Sequence, residues 1–591
     1  MYHSSNKARH WTILLQFFAL ASGLPIAAQQ PSPTLKDANS DYRAGMAALS
    51  RNDLNTALMD LQNAVRLAPS TEEGHSVLGV VLLRMGRTKD AVRELEKALA
   101  IKPSDVSVQT NLAFAYERTG RAAKAVPLFA KVEASAHSEG HPFGEQLLVS
   151  YAHVLAATTQ FSLATVKLKE AVAADPKNAE LQDDLGSLYS LRQDWPNAEA
   201  AFSAALVDAP DLAIAHLHLG LALQQQRKSG ALDEISKANE LMPANPAITL
   251  QLGVALAMAG RNEQTLPILR KALELAPTSA AAQYQLGLAL QRAGNVDEAI
   301  ALLRRVAAEV PQDAEVQINL GMALSQSQQA KEAVPILQKA IALAPKNAVA
   351  HQNLAAAYIQ LNQLDDAVTQ LQLALKLTPN APQLHYDLGL ALKMKDDAVD
   401  AIPELKAAQS LNPDAPEPPY VLGMLYMQTG DYPEAESELS RSLKLRPENG
   451  DAWATIGSVY NKLDRLSDAT QALREAIRQL PQQPDAHLTL AAVLVKQGRA
   501  SDAAQERKTA AELMLGSMNL QRAEVATNAA NSQLKSGDVE GAVAQLKEAL
   551  KFDPKYVDAH LSLATALDRQ GKAVKAAAER QQAEQLKAAS R

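Results

Sequence analysis

The sequence predicts an all-α fold, a solenoid of about sixteen antiparallel helix-turn-helix units. Three observations carry this expectation. Prolines recur at a fixed step, small residues hold fixed places between them, and helix stop and start signals punctuate each interval. Pro69 and Pro103 lie 34 residues apart, as do Pro176 and Pro210. Pro243 follows after 33, and Pro277, Pro311, Pro345, Pro379, Pro413, Pro447 and Pro481 continue at steps of 34. Pro103 to Pro176 and Pro481 to Pro554 each span 73, one period of 34 and one of 39, so the register survives two insertions.

Each unit can be read against that proline. Twenty-four positions before it stand Gly45, Gly79, Gly186, Gly253, Gly287, Gly321, Gly389, Gly423 and Gly457, with Ala152 and Ala355 in the same place. Twelve before it stand alanines such as Ala57, Ala299, Ala333 and Ala401, and five before it others such as Ala64, Ala272 and Ala340. Small residues repeated at one place mean that two helix backbones cross closely there. Leu61, Leu95, Leu168, Leu337, Leu371, Leu405, Leu439 and Leu473 lie four residues after the second small position, on the same helical face. Buried, each contributes about 1.5–3 kcal/mol.

The breaks are legible too. Gly86, Gly120, Gly260, Gly294, Gly430, Gly498, Gly537 and Gly571 fall mid-unit, where a helix C-terminus calls for a positive φ. Two residues after many prolines comes an N-cap residue: Thr71, Asp105, Asn178, Asn245, Ser279, Asp313, Asn347 or Asn449. Strand signals are absent from the sequence.

The pattern Leu-Gly…Ala…Leu…Ala…Pro resembles the tetratricopeptide repeat, as in Leu320-Gly321…Ala333…Leu337…Ala340…Pro345. The resemblance covers nearly the whole chain after its N-terminal segment and implies a right-handed superhelical solenoid. Two of the sixteen units lie over the insertions, closing near His137 and Leu515, and the last fills residues 555–588. The family's early tryptophan survives only as Trp453, and its first-helix tyrosine as Tyr116, Tyr189, Tyr358, Tyr426 and Tyr460.

The N-terminus reads as an export signal. Lys7, Arg9 and His10 precede an apolar stretch from Trp11 to Leu24, and Ile26-Ala27-Ala28 offers cleavage after Ala28. The rival reading is an uncleaved anchor helix, which the short apolar run disfavours. The expected organisation is a signal peptide (1–28), a linker (29–37), an N-terminal repeat block (38–136), an inter-repeat insertion (137–145), a central array (146–515), and C-terminal repeats with a capping helix (516–591). Ser135 to Glu145 reads as a loop and hinge, whereas residues 513–524 suit a lengthened helix as well as a loop. The polar segment Lys572 to Arg591 suits a cap that meets water. The mature protein is expected in the periplasm or outside the cell.

Composition narrows the function. The chain has 591 residues, a net charge of −7 and no cysteine. It shows no basic footprint for nucleic acid or anionic lipid, and it excludes disulfides, thiolate metal sites and cysteine nucleophiles. Repeats leave no room for a catalytic domain, no phosphate-binding loop or hydrolase motif occurs, and no cofactor is expected. His137, Glu139, His141 and Glu145 have zinc-type chemistry, but their spacing suits solvated loop residues better, and no metal site is assigned. His216 and His218 point about 200° apart on a helix and cannot chelate together.

One polar stripe remains. Two residues before the Gly/Ala position come Gln251, Gln285, Asn319, Asn353 and Asp387, with Asn111 and Asn528 in the equivalent place elsewhere. The resemblance implies that this position lines a concave groove, where a similar asparagine ladder in O-linked N-acetylglucosamine transferases grips peptide backbones. An amide both donates and accepts, which suits that task; a merely solvated polar face is the alternative. Tyr284, Tyr386 and Tyr420 sit one residue earlier in their units, suited either to binding or to packing on a neighbouring helix. The expected function is a non-enzymatic scaffold that holds proteins or extended peptides. A component of an envelope assembly or export machine is the second expectation.

Overall fold

The computed structural model describes residues 33–589. The expected signal peptide (1–28) and residues 29–32 of the expected linker lie outside the described residues. Within them every regular element is α-helical, thirty-one helices in all. Most units pair a 13-residue first helix with a 14-residue second helix, as in Ala280–Arg292 and Val296–Glu309. The Ala500–Ser536 helix serves two units at once, so thirty-one helices make sixteen pairs. The helices fall into two compact units, one ending at Pro277 and the other beginning at Thr278.

The glycine-leucine crossing sets each pair. A Cβ placed on Gly321 would stand 2.4 Å from Leu337 Cγ, and one on Gly423 would stand 2.5 Å from Leu439 Cγ. Leu337, Leu405, Leu439 and Leu473 are fully buried, as are Ala333, Ala401, Ala435 and Ala469. Hydrogen on the first helix and a leucine wedge on the second thus let the two backbones approach. Within the second compact unit, several first helices also touch the next first helix: Ala314–Gln326 meets Ala280–Arg292 and Ala348–Gln360, and Glu417–Thr429 meets Pro382–Met394 and Gly450–Lys462.

The breaks form as expected. Gly86, Gly120, Gly260, Gly294, Gly430, Gly498, Gly537 and Gly571 all have positive φ. Where glycine is missing, Asn52, Thr159, Gln193, Arg227, Gln328, Asn362, Asp396 and Asp464 take the same left-handed conformation. Asp105, Asn178, Asn245, Ser279, Asp313, Asn347 and Asn449 accept backbone N–H bonds at their helix starts. Thr71 does not; its hydroxyl donates back to the Ala68 carbonyl at 2.8 Å.

Three boundaries differ from expectation. The first described helix begins at Pro33, so residues 33–37 of the expected linker are helical, with proline in a first-turn position where its missing N–H costs nothing. The first insertion is less loop than expected: the helix Ala122–Ser138 runs on through Ser135, leaving only residues 139–144 before the helix Glu145–Ala157. That short connection is pinned rather than hinge-like, because Phe143 is buried edge-on against Tyr151. Of the two alternatives for residues 513–524, the structure takes the helix. The terminal helix Ala573–Ala589 buries Ala576 and Ala583 and exposes most of its polar residues.

Candidate functional site

The stripe lies on first helices throughout. Gln251 is on Pro246–Met258, Gln285 on Ala280–Arg292, Asn319 on Ala314–Gln326, Asn353 on Ala348–Gln360 and Asp387 on Pro382–Met394, and each side chain is half-buried. The crossing glycine two residues later faces the second helix. A turn of about 200° therefore carries the stripe residue away from that packing face.

Its members divide into two chemical states. Asn319 Nδ2 donates to Tyr284 Oη at 2.7 Å and to the Glu315 carbonyl at 3.0 Å, while Tyr284 Oη donates to Glu315 Oε1 at 3.1 Å. Burial and the Glu315 carboxylate push the Tyr284 hydroxyl above the ordinary tyrosine range. Asp387 accepts from Gln352 Nε2 and from Gln383 Nε2, both at 2.7 Å. Burial raises the Asp387 carboxyl, and the two amide bonds oppose that rise. Gln251 and Gln285 make no internal hydrogen bond, and Asn353 Nδ2 is buried without a partner. Tyr386 and Tyr420 are half-buried against the core of their unit, with burial first and the carboxylates of Glu417 and Asp451 second in raising their hydroxyls.

A rule of spacing emerges that the stripe alone did not reveal. Tyr284 with Asn319, Gln352 with Asp387, and Asp183 with His218 are each 35 residues apart. Each pair joins the residue just before the stripe in one unit to the stripe residue of the next. Searching the repeat for complementary donors and acceptors at one period plus one would have found them. Of the candidate tyrosines, Tyr284 thus bridges to the next first helix, while Tyr386 and Tyr420 pack against the core of their unit.

A related node lies in the first unit. His153 stands between Glu117 (3.7 Å) and Asp184 (3.6 Å), which belong to the first helices on either side of its own. Burial works against the imidazolium, but the carboxylates of Asp184 and Glu117 outweigh it and push its pKa up to about 10. Asp184 itself occupies the stripe position of its unit.

A second recurring device escaped the sequence reading. Six residues after the proline, His75, His216, His351 and His385 place Nε2 on that proline's carbonyl at 2.8–3.3 Å. His560 does the same at 3.0 Å. Nδ1 of His75, His216, His385, His487 and His560 meets a second-helix glutamate at 2.6 Å. Trp453 occupies the same place and donates Nε1–H to the Pro447 carbonyl at 2.8 Å. Histidine therefore substitutes for the tryptophan of the repeat by making the same bond. His216 and His218 are accordingly engaged separately, with Glu234 and Asp183. Among the described residues no group of three His, Cys, Asp or Glu side chains is placed to hold a metal ion. None of the described helices is long and apolar enough to cross a membrane.

Stacked helix pairs with a periodic polar stripe define a helical-repeat protein of the scaffold type. Sequence profiles described as tetratricopeptide repeat match residues 82–141, 256–320, 324–388 and 460–514, and also 42–106, 184–238 and 420–484; a TPR repeat profile matches 530–571. The chain belongs to the tetratricopeptide-repeat family. A search of the curated proteins finds no match. Among solved structures, the APC/C hetero-tetramer Cut9–Hcn1 is similar at 17% identity and a TM-score of 0.35, over 90% of this chain and 96% of that one. Yeast Tom70 is similar at 18% identity and 0.28, over 64% and 92%. YrrB, described as a TPR protein with an unusual peptide-binding site, is similar at 22% and 0.27, over 33% and 97%. Scores this low carry no inference about shared partners.

Proposed function

We propose that this protein is a non-enzymatic scaffold whose first-helix face holds an extended segment of a partner protein. The observation that carries the proposal is the half-buried polar stripe of Gln285, Asn319, Asn353 and Asp387 on first helices of one compact unit. Asn319 and Asp387 brace neighbouring helices, which fixes the surface. Gln285 remains uncommitted, and Asn353 keeps a donor that finds no acceptor. The uncommitted Gln285 amide, with the part of Asn353 that remains exposed, on a braced surface suits recognition of a peptide backbone, which offers donors and acceptors at every residue.

The place of action we propose is outside the cytoplasm, on the strength of Lys7 to Ala28 in the sequence. Affinity capture from an envelope extract tests both parts. The bait is the mature chain, and the comparison bait carries Gln285→Ala with Asn353→Ala, which leaves the Tyr284–Asn319 and Gln352–Asp387 bridges intact. Partners retained by the first and reduced about tenfold on the second, a difference of about 1.4 kcal/mol, support the reading. Equal recovery on both baits, at equal helical content, refutes it.

A further inference from the structure

A cleft of about 730 Å³ opens on the second compact unit, separate from the first-helix stripe. Its floor is the helix Leu466–Gln479, where Ser467, Gln471, Arg474 and Arg478 follow one another at intervals of four, three and four. That spacing puts them on one side of the helix, and all four are exposed. Trp453 closes one end of the cleft, and the turn residues Gln497 and Arg499 close the other. Trp453 precedes the stripe position of its own helix by two residues, so it points about 200° away from the stripe.

Both ends are fixed by hydrogen bonds. Trp453 Nε1 and Gln479 Nε2 donate to the same Pro447 carbonyl, at 2.8 and 3.0 Å, which sets the indole beside the C-terminal end of the floor helix. Gln497 Nε2 donates to the Leu466 carbonyl at 2.9 Å and to Thr470 Oγ1 at 3.1 Å, which sets the turn beside its N-terminal end. A site held this way loses little freedom when it is filled.

The cleft is cationic. Three guanidinium groups line it against one carboxylate, that of Glu475. Arg478 Nε donates to Glu475 Oε2 at 2.8 Å, and Arg499 Nε donates to Asp502 Oδ2 at 2.7 Å, so each has a compensating charge. Arg474, between them along the floor, has no hydrogen bond or ion pair among the described residues, and the side chains of Ser467 and Gln471 are equally unengaged. An unpaired guanidinium flanked by a hydroxyl and an amide is a receptor for a carboxylate, because its planar fork donates to both oxygens at once. Length selects the ligand further. Ser467 to Arg478 spans about 16 Å of helix, which an extended chain covers in about five residues. A single small anion meets one arginine, whereas a segment with several carboxylates reaches all three. The Trp453 ring gives the methylene stems of such side chains an apolar wall. We propose that this cleft is a second binding site, which holds an extended acidic segment of a partner protein with its carboxylates on Arg474, Arg478 and Arg499 and its stems against Trp453. The inference does not rest on the groove reading, since it uses no residue of the Gln251–Asp387 stripe.

Capped pentaglutamate is the probe, and capped pentaglutamine is its neutral match. Calorimetric titration of the mature chain at low salt is expected to give a Kd of about 10–100 μM for pentaglutamate, at least tenfold tighter than for pentaglutamine. Trp453 is one of two tryptophans after residue 28, so in a Trp195→Phe chain its emission reports the cleft and is expected to change on binding. Arg474→Gln is expected to weaken pentaglutamate binding about tenfold. Glu475→Gln removes the opposing carboxylate and frees Arg478, and is expected to strengthen binding about threefold. Circular dichroism checks that helical content is equal in all variants. Equal affinity for the two peptides overturns the inference, as does an Arg474→Gln chain that binds like wild type. Pentaglutamate binding that leaves Trp453 emission unchanged places the site elsewhere and overturns it as well. Inorganic phosphate that binds as tightly as pentaglutamate also overturns it, because the cleft would then be a site for a free oxyanion.

Discussion

A single donor six residues after a repeat proline, as at His385, shows how much one side chain organises. His385 bonds the Pro379 carbonyl at 2.9 Å and Glu404 at 2.6 Å, tying the turn between units to the second helix of its own unit. His385→Ala removes both bonds and strands the partners, and is expected to destabilise the region by about 1–3 kcal/mol. His385→Trp is expected to recover a good part of that, since Trp453 makes the same carbonyl bond at 2.8 Å. Urea denaturation of the two variants beside wild type decides it; equal losses would refute the shared-bond account. His153 makes a pH-dependent contribution. Its folded pKa of about 10 exceeds the ordinary value of about 6.5. Its stabilising effect is therefore complete below about pH 6.5 and is lost as pH rises through about 10. The side chain is 47% exposed, so solvent screening keeps the effect small. An NMR titration in which the His153 ring titrates near its ordinary value would end this expectation. So would an unchanged pH profile in His153→Gln.

At the scale of the element, the crossing between the two helices of a unit is the decisive contact. Alanine is the better helix former by about 1 kcal/mol. Gly321→Ala is nevertheless expected to destabilise, by about 1–3 kcal/mol, because the new methyl group would stand 2.4 Å from Leu337 Cγ. At Gly287 the nearest approach, to Leu303 Cγ, is 3.1 Å, so Gly287→Ala should be markedly milder. Denaturation midpoints of the pair test the ranking, and a reversed order would mean that leucine repacking dominates. Ala152 and Ala355, already in this position opposite Leu168 and Leu371, show that the wedge adapts when a unit is built around the methyl group. The two insertions are resolved at this scale as well. One is mostly a lengthened helix plus a connection pinned by Phe143, and the other fuses two helices into Ala500–Ser536.

At the scale of the molecule, the core is a chain of local clusters. Residues Ala523 to Ala576 form one of them, built around Leu546, Leu563 and Leu567, separate from the cluster around Leu473 and Leu494. Nearest-neighbour stacking means that damage should stay local. Leu546→Ala, which empties a fully buried site at a cost of about 2–5 kcal/mol, is expected to raise amide exchange in Val539–Phe552 and Val557–Arg569. Exchange in Pro382–Met394 should not change. Acceleration along every helix would show that the array unfolds as one cooperative body.

What the sequence determined by itself was the repeating part. Proline step, crossing glycine, wedge leucine, cap and positive-φ turn are set by backbone sterics and short-range hydrogen bonds, so they recur in most periods and can be read from the sequence alone. Capping at Thr71 failed because its hydroxyl had a nearer carbonyl to bond. Tertiary structure decided what happens between periods. The stripe was visible as a row of amides, but whether an amide is free or engaged depends on a neighbour 35 residues away, as Asn319 and Tyr284 show against Gln285. Likewise, the apolar run of Leu513 to Met518 could have been a core helix. Only the packing of Ala510 and Ala523 on either side of it leaves those side chains to water. Burial is a property of what stands next to a helix, and a periodic sequence fixes the helix before it fixes the neighbour.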